Sequence, residues 1–290
     1  MAGCPGKSVF AACRCGPPAV LGYNGRMLTS IAHGPITCLT LARTAFGRPL
    51  YTVKAFWVDG VLIDTGCPAT AREMLAWARA HDVREVVNTH HHEDHSGGDL
   101  LLQRALGLPI HAPAPSVPLL AHFPHIQLYR RIVWGLPHSA TVAPLGNVFE
   151  TGRYRFEVIP TPGHCPDHVC LFEREQGWLV SGDLYIGDRQ KYVRRDEDIR
   201  LQIESLRRVL ALGPKLLVCS HAGFIEDACG ALERKASFWE GIGEQARALR
   251  AEGVSIPEIT HRLLGSEGRM TQVSRGHFSK ANLVRSLLGV

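Results

Sequence analysis

The run from Asn88 to Asp99, Asn-Thr-His-His-His-Glu-Asp-His-Ser-Gly-Gly-Asp, constrains this chain more than any other stretch. His90, His92, Asp94 and His95 follow the pattern His-x-His-x-Asp-His, which puts three imidazoles and a carboxylate within six residues. If Val86 to Thr89 is a buried strand and Ser-Gly-Gly opens a helix, His90 and His92 leave the strand's end on one side. Asp94 and His95 then point to a neighbouring position. Imidazole nitrogen and carboxylate oxygen suit zinc and other borderline divalent ions, and a site with three protein nitrogens keeps a position open for water. Gly97 and Gly98 are expected to let the backbone run close to the ions. The remaining ligands must come from elsewhere in the chain.

At 290 residues the chain holds one large domain, or a domain with an appendage, and buries a sizeable core. Hydrophobic residues make up 45% and charged residues 20%, an ordinary globular balance. No apolar run approaches the roughly eighteen residues of a membrane span, so no membrane partner is expected. The net charge of +5 is scattered rather than gathered in one block and draws acidic metabolites as well as nucleic acid. Nine cysteines, odd in number and without a Cys-x-x-Cys pair, indicate neither a disulfide framework nor a zinc ribbon and point to a reducing, cytoplasmic setting. Residues 1–30 are dense in Gly, Pro and Cys, make a poor secretory signal, and read as a flexible leader, with Met27 an alternative start.

Pro35 to Ala42 and Leu50 to Val58 favour strands, and Asp59-Gly60 is a hairpin turn signal before the strand Val61 to Ile63. That strand runs into Asp64-Thr65-Gly66, which reads equally as a plain turn or as a support behind the metal ligands. Thr70 and Glu73 have capping-box spacing, ahead of a helix with Met74, Leu75, Trp77 and Ala78 on one face that ends near His81. A strand from Glu85 to Thr89 delivers the metal motif, and a helix follows from Gly98 to Leu106. After a short strand, Pro109 to His111, residues 112–142 are irregular and rich in proline, the pattern of a lid or pocket wall. His111, His122, His125 and His138 have no ligand spacing and stay outside the metal set.

Further strands are expected at Tyr154 to Thr161, His168 to Phe172, Trp178 to Ser181 and Leu216 to Cys219, with a helix over Asp196 to Leu212 stopped by Gly213-Pro214. His164, Asp183 and His221 each follow the end of one of these strands, as the first motif does. The set divides into His90, His92 and His164 for one ion and Asp94, His95 and His221 for a second. Asp183 bridges them, because a carboxylate has two oxygens. His168 reads as structural, and His91 points away from its two neighbours in an extended chain.

Residues 226–290 read as a helical tail: Phe238 to Glu252, a start at Ser255 with Pro257 and Glu258, and Ser279 to Leu288 with Leu283, Val284 and Leu287 inward. Its charges nearly balance, although no acid follows Arg269, so solvated helix faces are favoured over a nucleic-acid surface. The tail can equally wall a substrate pocket or mediate a homodimer.

These motifs together resemble the metallo-β-lactamase superfamily of hydrolases. The resemblance rests on Thr-His-His-His-Glu-Asp-His-Ser-Gly-Gly, Asp64-Thr65-Gly66, Thr161-Pro162-Gly163-His164, Ser181-Gly182-Asp183 and Ser220-His221-Ala222-Gly223, in the family's order, over about 35–225. It implies an α+β fold, a four-layer αββα sandwich over 31–225 with a helical C-terminal extension over 226–290. It also implies a binuclear site at one edge holding two divalent ions, zinc first and manganese or iron accommodated. Asp183 at the bridging position separates the chain from most true β-lactamases of the family. His92 separates it from the flavin-linked diiron relatives, which carry a glutamate there. The short segment between Asp183 and His221 lacks the large insert of the β-CASP nucleases. Tyr185 falls one residue short of the lactonase spacing. The glyoxalase II-like hydrolases and the β-lactamase-like proteins with a helical tail remain. The implied mechanism is attack by a metal-bound hydroxide on a small ester, thioester or lactone, with Asp94 orienting the nucleophile or passing its proton to the leaving group. A nuclease using the same metal pair on phosphodiesters is the alternative, and a metal-binding protein without turnover is a third reading.

Overall fold

The computed structural model describes residues 20–21 and 25–290. Asp59-Gly60 turns the chain as its sequence demands. Both residues have positive φ, 45° and 87°, the geometry of a two-residue hairpin between Val53–Val58 and Val61–Ile63. A side chain at position 60 would also displace the Arg84 guanidinium, but it is the positive φ that calls for glycine there. From this hairpin a nine-stranded sheet extends both ways among the described residues. Its order is Val20–Leu21, Arg26–His33, Ile36–Ala45, Val53–Val58, Val61–Ile63, Glu85–Val87, Ile110–Ala112 and Ala143–Pro144, with Arg48–Pro49 paired to Ile36–Ala45 off this path. Pairing is parallel from Val61–Ile63 onward. Parallel neighbours need crossovers. The helices Ala71–Arg79 and Asp99–Leu106 serve two of them, and lay Met74, Trp77 and Leu102 against the sheet.

A six-stranded sheet follows in the order Val148–Glu150, Arg155–Pro160, Val169–Glu173, Trp178–Val180, Leu216–Cys219 and Gly223–Ile225. It faces the first, with Phe56, Ile63 and Val87 meeting Phe156, Leu171 and Val218 in one core. Its other face is covered by Ile199–Leu210 together with the tail helices Ala228–Ala251, Ile256–Leu264 and Lys280–Leu288, through Phe172, Leu206, Trp239 and Leu283. Helix, sheet, sheet, helix is the αββα sandwich, an α+β fold. The tail shares its core with the second sheet, and each large apolar side chain it buries there contributes about 1.5–3 kcal/mol. A two-stranded pair, Val193–Arg194 with Phe278–Ser279, ties the tail to the loop after Asp183.

Local details depart from the sequence reading. Of the expected leader, residues 1–19 and 22–24 lie outside the described residues. Arg26–His33, however, pairs along its whole length with Ile36–Ala45, so residues 26–30 are strand rather than leader. The long tail helix starts at Ala228, not Phe238. Asp227 caps it through Gly230 N. Neither expected capping box forms. Thr70 turns its hydroxyl to Cys67 O, and Ser255 makes no side-chain cap. Residues 112–142 carry two short helices, Ser116–Ala121 and Leu128–Trp134.

Candidate metal centre and active site

The segment after Glu85–Val87 carries His90 and His92 on a loop and Asp94 and His95 on the short helix Glu93–Ser96, and three loops of the second sheet carry His164, Asp183 and His221. The structure brings all seven side chains into two adjoining clusters. In the first, His92 Nδ1 lies 2.9 Å from His90 Nε2 and 3.0 Å from His164 Nε2. In the second, Asp183 Oδ1 lies 3.1 Å from both His95 Nε2 and His221 Nε2, and Asp94 Oδ2 lies 3.9 Å from His95 Nε2. Asp183 Oδ2 reaches the first cluster, 3.2 Å from His164 Nε2. One carboxylate therefore faces both groups.

The chemistry of this donor set fits cations. Burial, helped by His95 at His90 and by Arg194 at His92, holds both imidazoles well below their ordinary pKa, so they present lone pairs. His95 Nε2 and Asp183 Oδ1 are buried without a hydrogen-bond partner, although they stand 3.1 Å apart. Buried polar atoms of this kind call for an explanation, and a divalent ion with nitrogen and oxygen ligands is one. Burial pushes the Asp183 carboxyl up, but His221, His95 and His164 outweigh it and hold it well below the carboxylate range. Reciprocally, burial lowers His95 and His221, but the carboxylates around them, Asp183 first, with Asp64 and Asp94 at His95 and Asp94 at His221, together more than reverse this.

A shell of polar contacts fixes the rings. Asp64, at φ 60°, accepts from Thr89 N at 2.8 Å and lies 2.7 Å from His95 Nδ1. Asp64-Thr65-Gly66 is thus more than a plain turn, because Asp64 backs the His95 ring, the kind of carboxylate contact that orients imidazoles where they bind a metal. His221 Nδ1 donates to Thr52 O at 3.0 Å. His168 has its Nδ1 2.8 Å from Thr161 Oγ1 and accepts from Asp183 N at 3.0 Å; burial and His164 lower its pKa to about 3, so the ring is neutral. His91 turns away to Asp167 at 2.9 Å. Gly97 and Gly98 serve a different purpose from the expected one. A Cβ at 97 would strike Pro68 and one at 98 would strike Thr65, so they admit backbone, not ions.

Three residues had no sequence signal. Glu93, fully buried inside the motif, makes a bidentate pair with Arg130 at 2.6 Å and fastens the helix Leu128–Trp134 over the site. Arg194 donates to His164 O at 2.8 Å. Lys235 donates to Leu184 O, next to Asp183, at 2.9 Å. Each pair spans tens of residues, which no spacing rule links. Above the clusters opens a cavity of about 400 Å³ with Asp94, His164, Asp183 and His221 among its lining residues.

A family model described as the metallo-beta-lactamase superfamily matches residues 55–221. The chain is similar to the thioesterase pkgB of Emericella nidulans, 30% identical over 156 residues that cover 52% of this chain and 39% of that protein. It is 35% identical over 144 residues to a hydroxyacylglutathione hydrolase of Anaeromyxobacter dehalogenans, covering 49% and 48% respectively. A solved β-lactamase domain protein from Burkholderia ambifaria shares the fold, with a TM-score of 0.62, 19% identity, and coverage of 93% of this chain and 87% of that one. The chain spans 39% to 65% of the length of curated relatives of this kind.

Proposed function

From the premise that the chain belongs to the metallo-β-lactamase superfamily, we propose a binuclear metal-dependent hydrolase acting on a small ester, thioester or lactone. The observation that carries this reading is Asp183, whose two oxygens face the two clusters. The thioesterase and hydroxyacylglutathione hydrolase relatives support it. His90, His92 and His164 would hold one ion, Asp94, His95 and His221 the other, and Asp183 both. Nitrogen and carboxylate donors favour zinc and accept manganese or iron. Divalent ions bound there supply an acidified water and polarise the scissile carbonyl.

The chain's own groups do the rest. Asp94, 6% exposed and bordering the cavity, takes the proton of the attacking water and passes it to the leaving atom. Asp64 and Thr52 O hold the rings of His95 and His221 so that each Nε2 faces inward. His168 accepts the backbone N–H of Asp183 and keeps the bridging carboxylate at the junction. Free thiols at the described cysteines support a reducing, cytoplasmic setting, and no described helix is long and apolar enough to cross a membrane. The phosphodiester alternative rests on the acid-free stretch from Arg269 on, of which Lys280 is committed to Leu264 O and Ser266 O.

The test pairs metal analysis of the purified protein with a substrate panel: a thioester, a lactone, a β-lactam, a phosphodiester and a short RNA, each with and without chelator. Near two ions per chain and chelator-sensitive cleavage of the thioester or lactone are expected. Hydrolysis that survives His92→Ala or Asp183→Ala would mean that the assignment is wrong.

A further inference from the structure

The metal-facing side chains form only the floor of the cavity; most of what rises around them is apolar. Leu50 and Tyr51 come from the loop between two strands, Ile132 and Trp134 from the helix Leu128–Trp134, and Val273 and Phe278 from the tail. Tyr51, Ile132 and Val273 remain 50%, 53% and 66% exposed, although they stand beside a buried polar site. Water gains nothing from such a wall, and contiguous apolar surface of this kind marks a ligand groove. The wall is also held in place. The buried Arg130–Glu93 pair fastens the helix, and the pairing of Phe278–Ser279 with Val193–Arg194 fastens the tail.

Polar groups within the wall are largely committed elsewhere. Arg130 is bound to Glu93, the Gln190 amide oxygen accepts from Lys235, and the Tyr129 hydroxyl meets His277 at 2.9 Å. Apart from the Tyr51 hydroxyl and Arg269, both exposed, little is left above the floor to recognise a sugar or a peptide amide. A volume of about 400 Å³ falls within the roughly 300–1,000 Å³ of ligand pockets.

We infer that the substrate carries a bulky apolar acyl group that fills this cavity while its carbonyl lies on the floor beside His164 and Asp183. This names the substrate class of the site and rests on the hydrolase reading above. The acyl group supplies binding energy remote from the reacting bond, which an enzyme can use to position the carbonyl.

The experiment is a series of thioesters on one common thiol, from acetyl through butanoyl, hexanoyl, octanoyl and decanoyl, with a naphthoyl member, hydrolysed by the metal-loaded full chain. Each methylene taken from water is expected to raise kcat/KM about fourfold until the cavity is full, the factor that about 0.8 kcal/mol per buried CH₂ gives. Val273→Asp and Ile132→Asp, both at exposed positions that tolerate a charge, are expected to flatten that rise. Calorimetric titration of the metal-free chain with decanoate and with butanoate reads the cavity without turnover, and decanoate alone is expected to bind. A flat series with acetyl thioester still hydrolysed overturns the inference and leaves the hydrolase intact. No hydrolysis of any member overturns the thioester branch of the hydrolase reading; decanoate binding that Val273→Asp abolishes then still supports an apolar acyl site, and its absence removes that as well.

Discussion

Lys235→Met separates the cost of a buried charge from the worth of its contacts. Lys235 lies on the tail helix with no exposed surface, donates to Leu184 O and Gln190 Oε1 at 2.9 Å each, and sits 4.4 Å from the centre of the Trp239 ring. Burial outweighs the nearby carboxylates, Glu197 foremost, and lowers its pKa to about 8 from 10.5. Between those values the unfolded lysine holds a proton that the folded one has released, so stability rises with pH across that window. Below about pH 8 both states are charged, and the folded state bears the whole penalty, about 3 kcal/mol at 1.36 kcal/mol per pH unit. From pH 7.5 to pH 10 about 2 kcal/mol of it is relieved. Methionine keeps the apolar stem and removes the charge, while the orphaned Leu184 carbonyl costs about 1–3 kcal/mol. The variant should therefore match the native chain closely at pH 7.5 and fall behind it by about 2 kcal/mol more at pH 10. Urea unfolding of both proteins at pH 7.5, 9 and 10 measures this, and taking differences cancels the groups they share. A stability gap that does not widen with pH would refute the account of Lys235 as a desolvated titrating group.

Asp64→Asn removes the negative charge behind His95, and zinc affinity should drop about 10- to 100-fold in a competition with a chromophoric chelator; unchanged affinity would count against Asp64 as the group that orients the ring. Arg130→Met leaves Glu93 charged and unpaired inside the protein, with an expected loss of about 3–5 kcal/mol in urea unfolding that Glu93→Leu in the same chain should largely restore. A loss under about 1 kcal/mol from the single substitution would show that the pair is solvated. Chelation should lower stability by about 4 kcal/mol when free metal had stood a thousandfold above its Kd, and a melting temperature indifferent to chelator would contradict metal binding by the folded state.

Much of the architecture is legible in the sequence because it is written in local patterns. The Asp59-Gly60 hairpin follows from two residues that tolerate positive φ. The seven side chains singled out at strand ends come together because parallel strands deliver their following loops to one edge. What the pattern conceals is non-local or competitive. Glu93 carries no signal of its role until Arg130, 37 residues on, is placed above it. The pairing of Val193–Arg194 with Phe278–Ser279 is two residues long, too short for any alternation to announce it. Thr70 has the spacing of a cap, but its hydroxyl finds Cys67 O, a turn contact that competes with the helix terminus. Gly97 and Gly98 stand where ligands cluster, yet it is Pro68 and Thr65 that exclude a side chain there.

Both clusters draw side chains from the two sheets at once. His90, His92, Asp94 and His95 belong to the first, while His164, Asp183 and His221 belong to the second. A chain leaving the ribosome N-terminus first therefore exposes its histidine-rich loop long before either cluster can close. The triad of imidazoles must wait for His164, and the carboxylate-rich group for His221, by which point the segments of both sheets near the site have been made. On the proposed binuclear reading, metal acquisition is a late step in this protein's biogenesis, one that rewards the docking of the halves rather than the folding of either.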